Sequence, residues 1–172
     1  MASIGHVAVG LAAGRLLSRT PRQRLWLSLG LSALSLLPDA DVIGFALRVP
    51  YGAPWGHRGA THSLVFAAGV ALLALGARRW LRLPALAWFG AVFAVVASHG
   101  LLDALTDGGR GVALLWPFDL TRYFAPWRPI PVAPIGLRFL SVRGLSIALV
   151  ELLLFAPLFW YGLTPRKAAK RA

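Results

Sequence analysis

The residues of this chain that could do chemistry are few enough to take one by one. Among 172 residues there are four histidines, His6, His57, His62 and His99. There are six acids, Asp39, Asp41, Asp103, Asp107, Asp119 and Glu151. His99 and Asp103 stand four apart, a spacing that puts both on one face of a helix. Two ligands so placed can bind one metal ion, as the paired histidines of an HExxH helix do. Imidazole suits zinc, copper, iron and nickel, while carboxylates shift the balance toward harder ions. The chain has no cysteine, which excludes thiolate metal sites, iron–sulfur clusters, disulfides and cysteine nucleophiles. Four histidines with several aspartates suffice for one or two ions, hydrolytic zinc being the first choice and manganese or iron the next. Zinc lowers the pKa of a bound water toward about 7, and two ions could clamp both oxygens of a phosphoester. No GxSxG nucleophile motif is present, so a metal-activated water is the simpler mechanism.

The elements that must position these residues follow from composition. Apolar residues make up 58% of the chain and charged residues only 14%, against about 25% charged in a soluble domain. Mean hydropathy is +0.67. There is too little polar surface to cover a globule in water, which points to an integral membrane protein of the all-α class. Its length fits one domain. A membrane-crossing helix needs roughly 20 apolar residues. Segments 84–102 and 145–163 meet this cleanly, while 2–17, 25–37 and 63–77 are shorter or interrupted. The expectation is a bundle of about five helices, within a range of four to six. Residues 18–24 read as a loop with a Thr-Pro break, and 107–144 as a long loop with five prolines, of a length often functional. The first apolar segment is not a convincing signal peptide, because no basic residue precedes it and Arg15 interrupts its far end.

Lys and Arg set the expected orientation. Arg15, Arg19, Arg22 and Arg24, then Arg78, Arg79 and Arg82, then Arg166, Lys167, Lys170 and Arg171 account for eleven of eighteen basic residues, with no acid among those segments. In a five-helix chain they fall on one side, giving an N-out, C-in topology with 164–172 as a basic cytoplasmic tail and 107–144 as an extracytoplasmic loop. Trp26, Trp80, Trp160 and Tyr161 form an inner aromatic belt, and Trp55, Trp116 and Trp127 an outer one. Every acid and every histidine then gathers near the outer face. Ionisable residues in membrane segments are costly and by default functional. Ala2, His6, Gly10 and Gly14 repeat every four residues, a small-residue stripe of the kind that marks close helix packing. Ser28, Ser32, Ser35 and Asp39 form a polar stripe, provided the second helix reaches Asp39. Asp107 and Asp119 read equally as turn residues or as function. Glu151 reads as a ligand, a partner orienting a histidine, or the counter-ion of an outer arginine.

Three blocks carry a family resemblance. After an early His6 come Leu-Leu-Pro-Asp-Ala-Asp at 36–41, His-Arg-Gly-Ala-Thr-His-Ser at 57–63, and His-Gly-Leu-Leu-Asp-Ala-Leu-Thr at 99–106 followed by Leu-Trp-Pro-Phe at 115–118. The set resembles the YdjM-type family of bacterial membrane-bound proteins, described as metal-dependent hydrolases, over roughly residues 3–120. The resemblance implies a bacterial inner (cytoplasmic) membrane location and metal-site roles for His6, Asp39, Asp41, His57, His62, His99 and Asp103. A weaker likeness, in the order His, Asp, His, HxxxD, is to zinc-dependent phospholipase C and the P1-type nucleases. That likeness implies phosphodiester chemistry, although no histidine follows Asp103 to complete a three-zinc site.

The expected function is hydrolysis of an ester or phosphoester bond, in a lipid or lipid-linked substrate, at the extracytoplasmic membrane boundary. Asp39, Arg58 and Asp103 are the expected catalytic residues, with Arg58 neutralising a substrate phosphate by bidentate contact. The aromatic loop from Trp116 to Trp127 would cover the site. The rival readings are a metal-ion or small-solute transporter and a non-catalytic metal-binding membrane protein. Nucleic acid is not an expected partner, because orientation and anionic lipid explain the short basic runs.

Overall fold

The computed structural model describes residues 4–165. Its helices are α1 (Ile4–Leu17), α2 (Pro21–Leu36), α3 (Ile43–Ala46), α4 (Leu64–Ala74), α5 (Arg78–Leu81), α6 (Ala85–Ala104), α7 (Val142–Leu154) and α8 (Ala156–Leu163). Tight 3-10 turns join α2 to α3 and α4 to α5, and α7 runs on into α8, so the described residues form five helical segments. Three of these, Pro21–Ala46, Leu64–Leu81 and Ala85–Ala104, are long and apolar enough to cross a membrane, and α7 with α8 makes a fourth if the bent pair is one span. Over its described residues α1 is shorter, at 14 residues or about 21 Å against a hydrocarbon core of about 30 Å. The outside of the bundle is apolar: Leu73 is 84% and Leu86 83% exposed. Such continuous apolar surface on a single chain marks contact with something other than water.

Two boundaries differ from the sequence expectation. The Thr-Pro pair read as a loop break starts α2 instead. Thr20 accepts the backbone N–H of Gln23 at 3.1 Å, and Pro21 at the first helical position loses no bond the helix needs. The last apolar segment is not one straight helix, because α7 and α8 meet at 64°. Pro157 sits in the first turn of α8; it has no N–H for the carbonyl four residues earlier and its ring crowds that turn.

The small-residue stripe does what its spacing predicts. A Cβ on Gly10 would stand 2.4 Å from Ser32 Cα, and one on Gly14 2.5 Å from Ser28 Cα. Those pairs run in opposite directions, so α1 and α2 form an antiparallel hairpin with backbones in contact. Ala2 of the stripe, like the basic tail residues Arg166, Lys167, Lys170 and Arg171, lies outside the described residues. The apolar core centres on α6, where Val92, Val95 and Val96 meet Leu27 and Leu31 of α2 and Ala67 and Ala71 of α4. With alternating helix directions, the start of α1, the end of α2, the start of α4, the end of α6 and the first half of α7 share one end of the bundle.

The 105–135 segment is stitched across that end by backbone hydrogen bonds. Ala113 N–H donates to the Arg58 carbonyl at 3.0 Å, Leu64 N–H to the Leu114 carbonyl at 3.0 Å, and Val112 and Tyr123 exchange a pair at 2.9 Å.

Candidate metal centre

Four buried or half-buried side chains meet where α2, α4 and α6 converge: Asp39, His62, His99 and Asp103 each offer one ligand atom, all within 4.8 Å of one another. His99 Nε2 is 3.3 Å from Asp39 Oδ1. His62 Nε2 is 3.6 Å from Asp39 Oδ1 and 3.5 Å from Asp103 Oδ2. Ligands bonded at 2.0–2.2 Å in a tetrahedron stand about 3.3–3.6 Å apart, so these three separations are compatible with a shared metal ion. The Nε2 atoms of His62 and His99 have no hydrogen-bond partner among the described residues. Buried polar atoms left without partners are rare and call for one. The group can hold a metal ion.

The opposite edge of each imidazole is held. His99 Nδ1 is 2.6 Å from the Ser35 carbonyl. A carbonyl only accepts, so Nδ1 carries the hydrogen and Nε2 keeps the lone pair a metal would use. His62 Nδ1 is 3.2 Å from Asp41 Oδ2, the carboxylate–histidine arrangement that fixes tautomer and ring orientation at metal sites. Asp41 also takes His57 Nδ1 at 2.7 Å, the Thr61 hydroxyl at 2.8 Å and the Arg58 N–H at 3.1 Å. A second possible ligand group, Asp41, His57 and His62, is therefore already closed by hydrogen bonds. Burial disfavours a charged His62, but the carboxylates of Asp103, Asp39 and Asp41 outweigh it and raise its pKa to about 10. Three carboxylates on buried ground demand positive charge, which a proton or a divalent cation supplies.

His6 stands beside the set. Its ring stacks on His99 with centroids 3.6 Å apart, and its Nε2 is 3.9 Å from Asp103 Oδ1. Arg58 is 2% exposed and turned inward: Nε pairs with Asp103 Oδ2 at 3.0 Å, and Nη1 donates to Thr106 Oγ1 at 2.9 Å and to the Gly108 carbonyl at 3.0 Å. Its backbone is in the left-handed region, φ 61°, a conformation held only where surrounding bonds over-determine it.

A cavity of about 580 Å³ opens onto this group. Asp39, Tyr51, His57 and Arg58 form its polar end, while Ile4, Val7, Ala148 and Phe159 give it apolar walls from α1, α7 and α8. Its remaining wall is the 132–139 segment. Trp116 does not line it; that ring lies edge-on to Trp55 at 5.1 Å. The covering piece is thus the stretch just after the aromatic loop, pinned by Asp107, whose Oδ1 accepts the Val132 N–H at 2.7 Å.

The model of the YdjM inner membrane protein family matches residues 1–169. The chain belongs to the YdjM family. It is 46% identical over 122 residues to the inner membrane protein YbcI of Escherichia coli (strain K12), an alignment covering 70% of each chain. No solved structure matches. The YdjM match runs well past residue 120, where the motif resemblance fades, and takes in the α7 and α8 residues that wall the cavity.

In this YdjM member all seven metal-site candidates meet at one place, in unequal positions: four as a ligand group, Asp41 and His57 bracing it, and His6 stacked alongside. Glu151 is not in the group. It is fully buried, and its Oε2 accepts the Gly5 N–H at 3.2 Å, placing a carboxylate at the positive end of α1. Asp119 accepts the Thr121 N–H at 2.7 Å and the Tyr123 hydroxyl, a turn role. Sequence reading missed Tyr51, Arg122 and Gly100. Arg122 spans the 50s loop, donating to the carbonyls of His57 at 3.0 Å and Ala53 at 3.1 Å. Gly100 lets α6 lie against the backbone of His62, where a Cβ would come within 2.4 Å of the carbonyl oxygen. Its position between His99 and Asp103 was the available signal.

Proposed function

We propose that this protein is a membrane-bound metal-dependent hydrolase that cleaves an ester or phosphoester bond of a lipid or lipid-linked substrate, with its site on the extracytoplasmic side of an N-out, C-in bundle. The observation that carries this reading is the continuity of the four-residue ligand group with an amphiphilic cavity. The side chain of Asp39 is 27% exposed while His62, His99 and Asp103 are closed in, so one member of the group meets a substrate and the other three hold fast. The apolar walls suit acyl or isoprenoid chains, and the polar end suits a headgroup.

His62 and His99 would bind the ion through Nε2, and Asp39 and Asp103 through carboxylate oxygens; one ion fits this set, with His6 available beside it. The mixed imidazole and carboxylate donors favour zinc, with manganese or iron next. When bound, such an ion supplies Lewis acidity and brings the pKa of water toward about 7. Asp41 keeps both His57 and His62 in register. His57, its Nδ1 held by Asp41, lines the cavity, where its ring can hydrogen-bond substrate or water. Arg58 fixes Asp103 through its inward guanidinium, so it acts as a positioning residue rather than as the phosphate clamp expected from sequence.

The test is turnover. Detergent-purified protein, stripped and reloaded in turn with zinc, manganese or iron, is assayed on phospholipid and lipid-phosphate esters. The reading expects turnover with at least one ion and a loss of 100-fold or more in Asp39→Asn with the fold retained. Metal-loaded protein that turns over none of these, yet moves the ion across vesicles, would establish the transporter reading instead.

A further inference from the structure

At the end of the bundle opposite the ligand group, where α2 begins and α5 ends, lies a cleft of about 670 Å³ lined by Arg19, Arg22, Arg82, Trp26 and Trp80. The cleft is built rather than incidental. Gln23 ties its two sides together: its Nε2 donates to the Leu81 carbonyl at 2.7 Å, and its Oε1 accepts the Arg19 N–H at 2.7 Å. Arg82 caps α5 in the left-handed region with φ 54°, its N–H shared by the Arg78 and Arg79 carbonyls. That position is usually glycine's, so an arginine is kept there against backbone preference. Among the described residues no ion pair involves Arg19, Arg22 or Arg82. None of the cleft's lining residues is acidic. Two candidate spans, Pro21–Ala46 and Leu64–Leu81, end at this cleft, which puts it at headgroup depth.

We propose that this cleft binds the phosphate of an anionic membrane phospholipid, with the guanidiniums on the phosphate oxygens and the two indoles along the glycerol and upper acyl region. A guanidinium fork matches phosphate geometry, where an ammonium offers only a point charge. Tryptophan favours the membrane interface. Trp80, 89% exposed, and Trp26, 59% exposed, are more than free inorganic phosphate would need, and they select the lipid as the source. Positive charge on this side also orients the chain in the membrane, but orientation depends on charge alone and is blind to the choice between Arg and Lys.

That difference gives the test. The full chain is purified in mild detergent, equilibrated with equal phosphatidylglycerol and phosphatidylcholine, and read by native mass spectrometry for retained lipid. Wild type is expected to retain phosphatidylglycerol over phosphatidylcholine by about tenfold, and millimolar inorganic phosphate to leave that unchanged. The Arg19→Lys, Arg22→Lys, Arg82→Lys variant keeps net charge and insertion direction and is expected to lose the preference. Arg82→Gly, which relieves the left-handed backbone and so keeps the fold, is expected to lower phosphatidylglycerol retention several-fold. Equal retention in wild type and both variants would overturn the proposal, as would displacement of the lipid by inorganic phosphate. Neither outcome bears on the hydrolase reading, since the ligand group is at the other end of the bundle.

Discussion

Asp39 and Asp41 are two residues apart and do different things. Residues two apart do not share a helix face, and on the 3-10 turn from Leu37 to Val42 one carboxylate meets the cavity while the other is enclosed by His57, His62, Thr61 and the Arg58 N–H. The Pro-Asp-Ala-Asp block gave both a metal-site role; which of the two faces the cavity was not legible, because it depends on where α4 and the 50s loop come to rest. Asp41→Asn keeps the shape but cannot accept from both imidazoles, so metal affinity should fall about 10- to 100-fold, measured by competitive chelator titration of folded protein. Asp103 illustrates the same gap between motif and role: its helical partner His99 was legible, its ion pair with Arg58 was not. Asp103→Asn leaves a buried guanidinium without its charge partner and should cost about 3–5 kcal/mol. Paired with Arg58→Met the loss should shrink, because no unpaired charge is left. Thermal unfolding in detergent separates the two cases, and equal losses would mean that the pair is not coupled.

At the level of elements, the four-residue repeat of small residues announced a close helix contact on α1, because backbone approach needs only small side chains at a fixed spacing; that its partner is α2 came from the structure. Gly10→Ala drives a Cβ into the Ser32 backbone, and with it displaces His6, one turn away. Overpacking of this kind costs about 1–3 kcal/mol. Gly30 and Gly90 lie inside helices with no atom within 4 Å of an added Cβ, so Gly30→Ala and Gly90→Ala should match wild type or exceed it by up to about 1 kcal/mol. Melting temperatures of the four proteins check the contrast, and a Gly10→Ala melt matching Gly30→Ala would contradict the hairpin. The bend between α7 and α8 was harder to see, since hydropathy reads through Pro157 without registering the lost hydrogen bond. The start of α2 was misread for the opposite reason: Thr-Pro breaks a helix from inside but begins one from outside.

For the whole molecule, the scarcity of acids proved the most informative property of the composition. Basic residues outnumber them three to one, yet the polar atoms of the acids gather with the histidines at one end, while Arg15, Arg19, Arg22, Arg24 and Arg82 mark the other. The motif blocks made the site's membership legible; the cavity was not, because its walls come from Ile4, Ala148 and Phe159, apolar residues with no chemical signature. The proposed topology rests on the same polarity: a phosphatase reporter fused after Ala172 should be inactive and a cytoplasmic fluorescent reporter active, the reverse pattern placing the site on the cytoplasmic side. The central claim is that Asp39, His62, His99 and Asp103 hold a metal ion, and elemental analysis of detergent-purified protein under non-chelating conditions tests it most directly. The account predicts about one divalent ion per chain, zinc first, falling to background in His99→Ala, Asp103→Ala protein that still elutes as a folded species. Substoichiometric zinc, manganese and iron in wild type, unchanged in that variant, would contradict it.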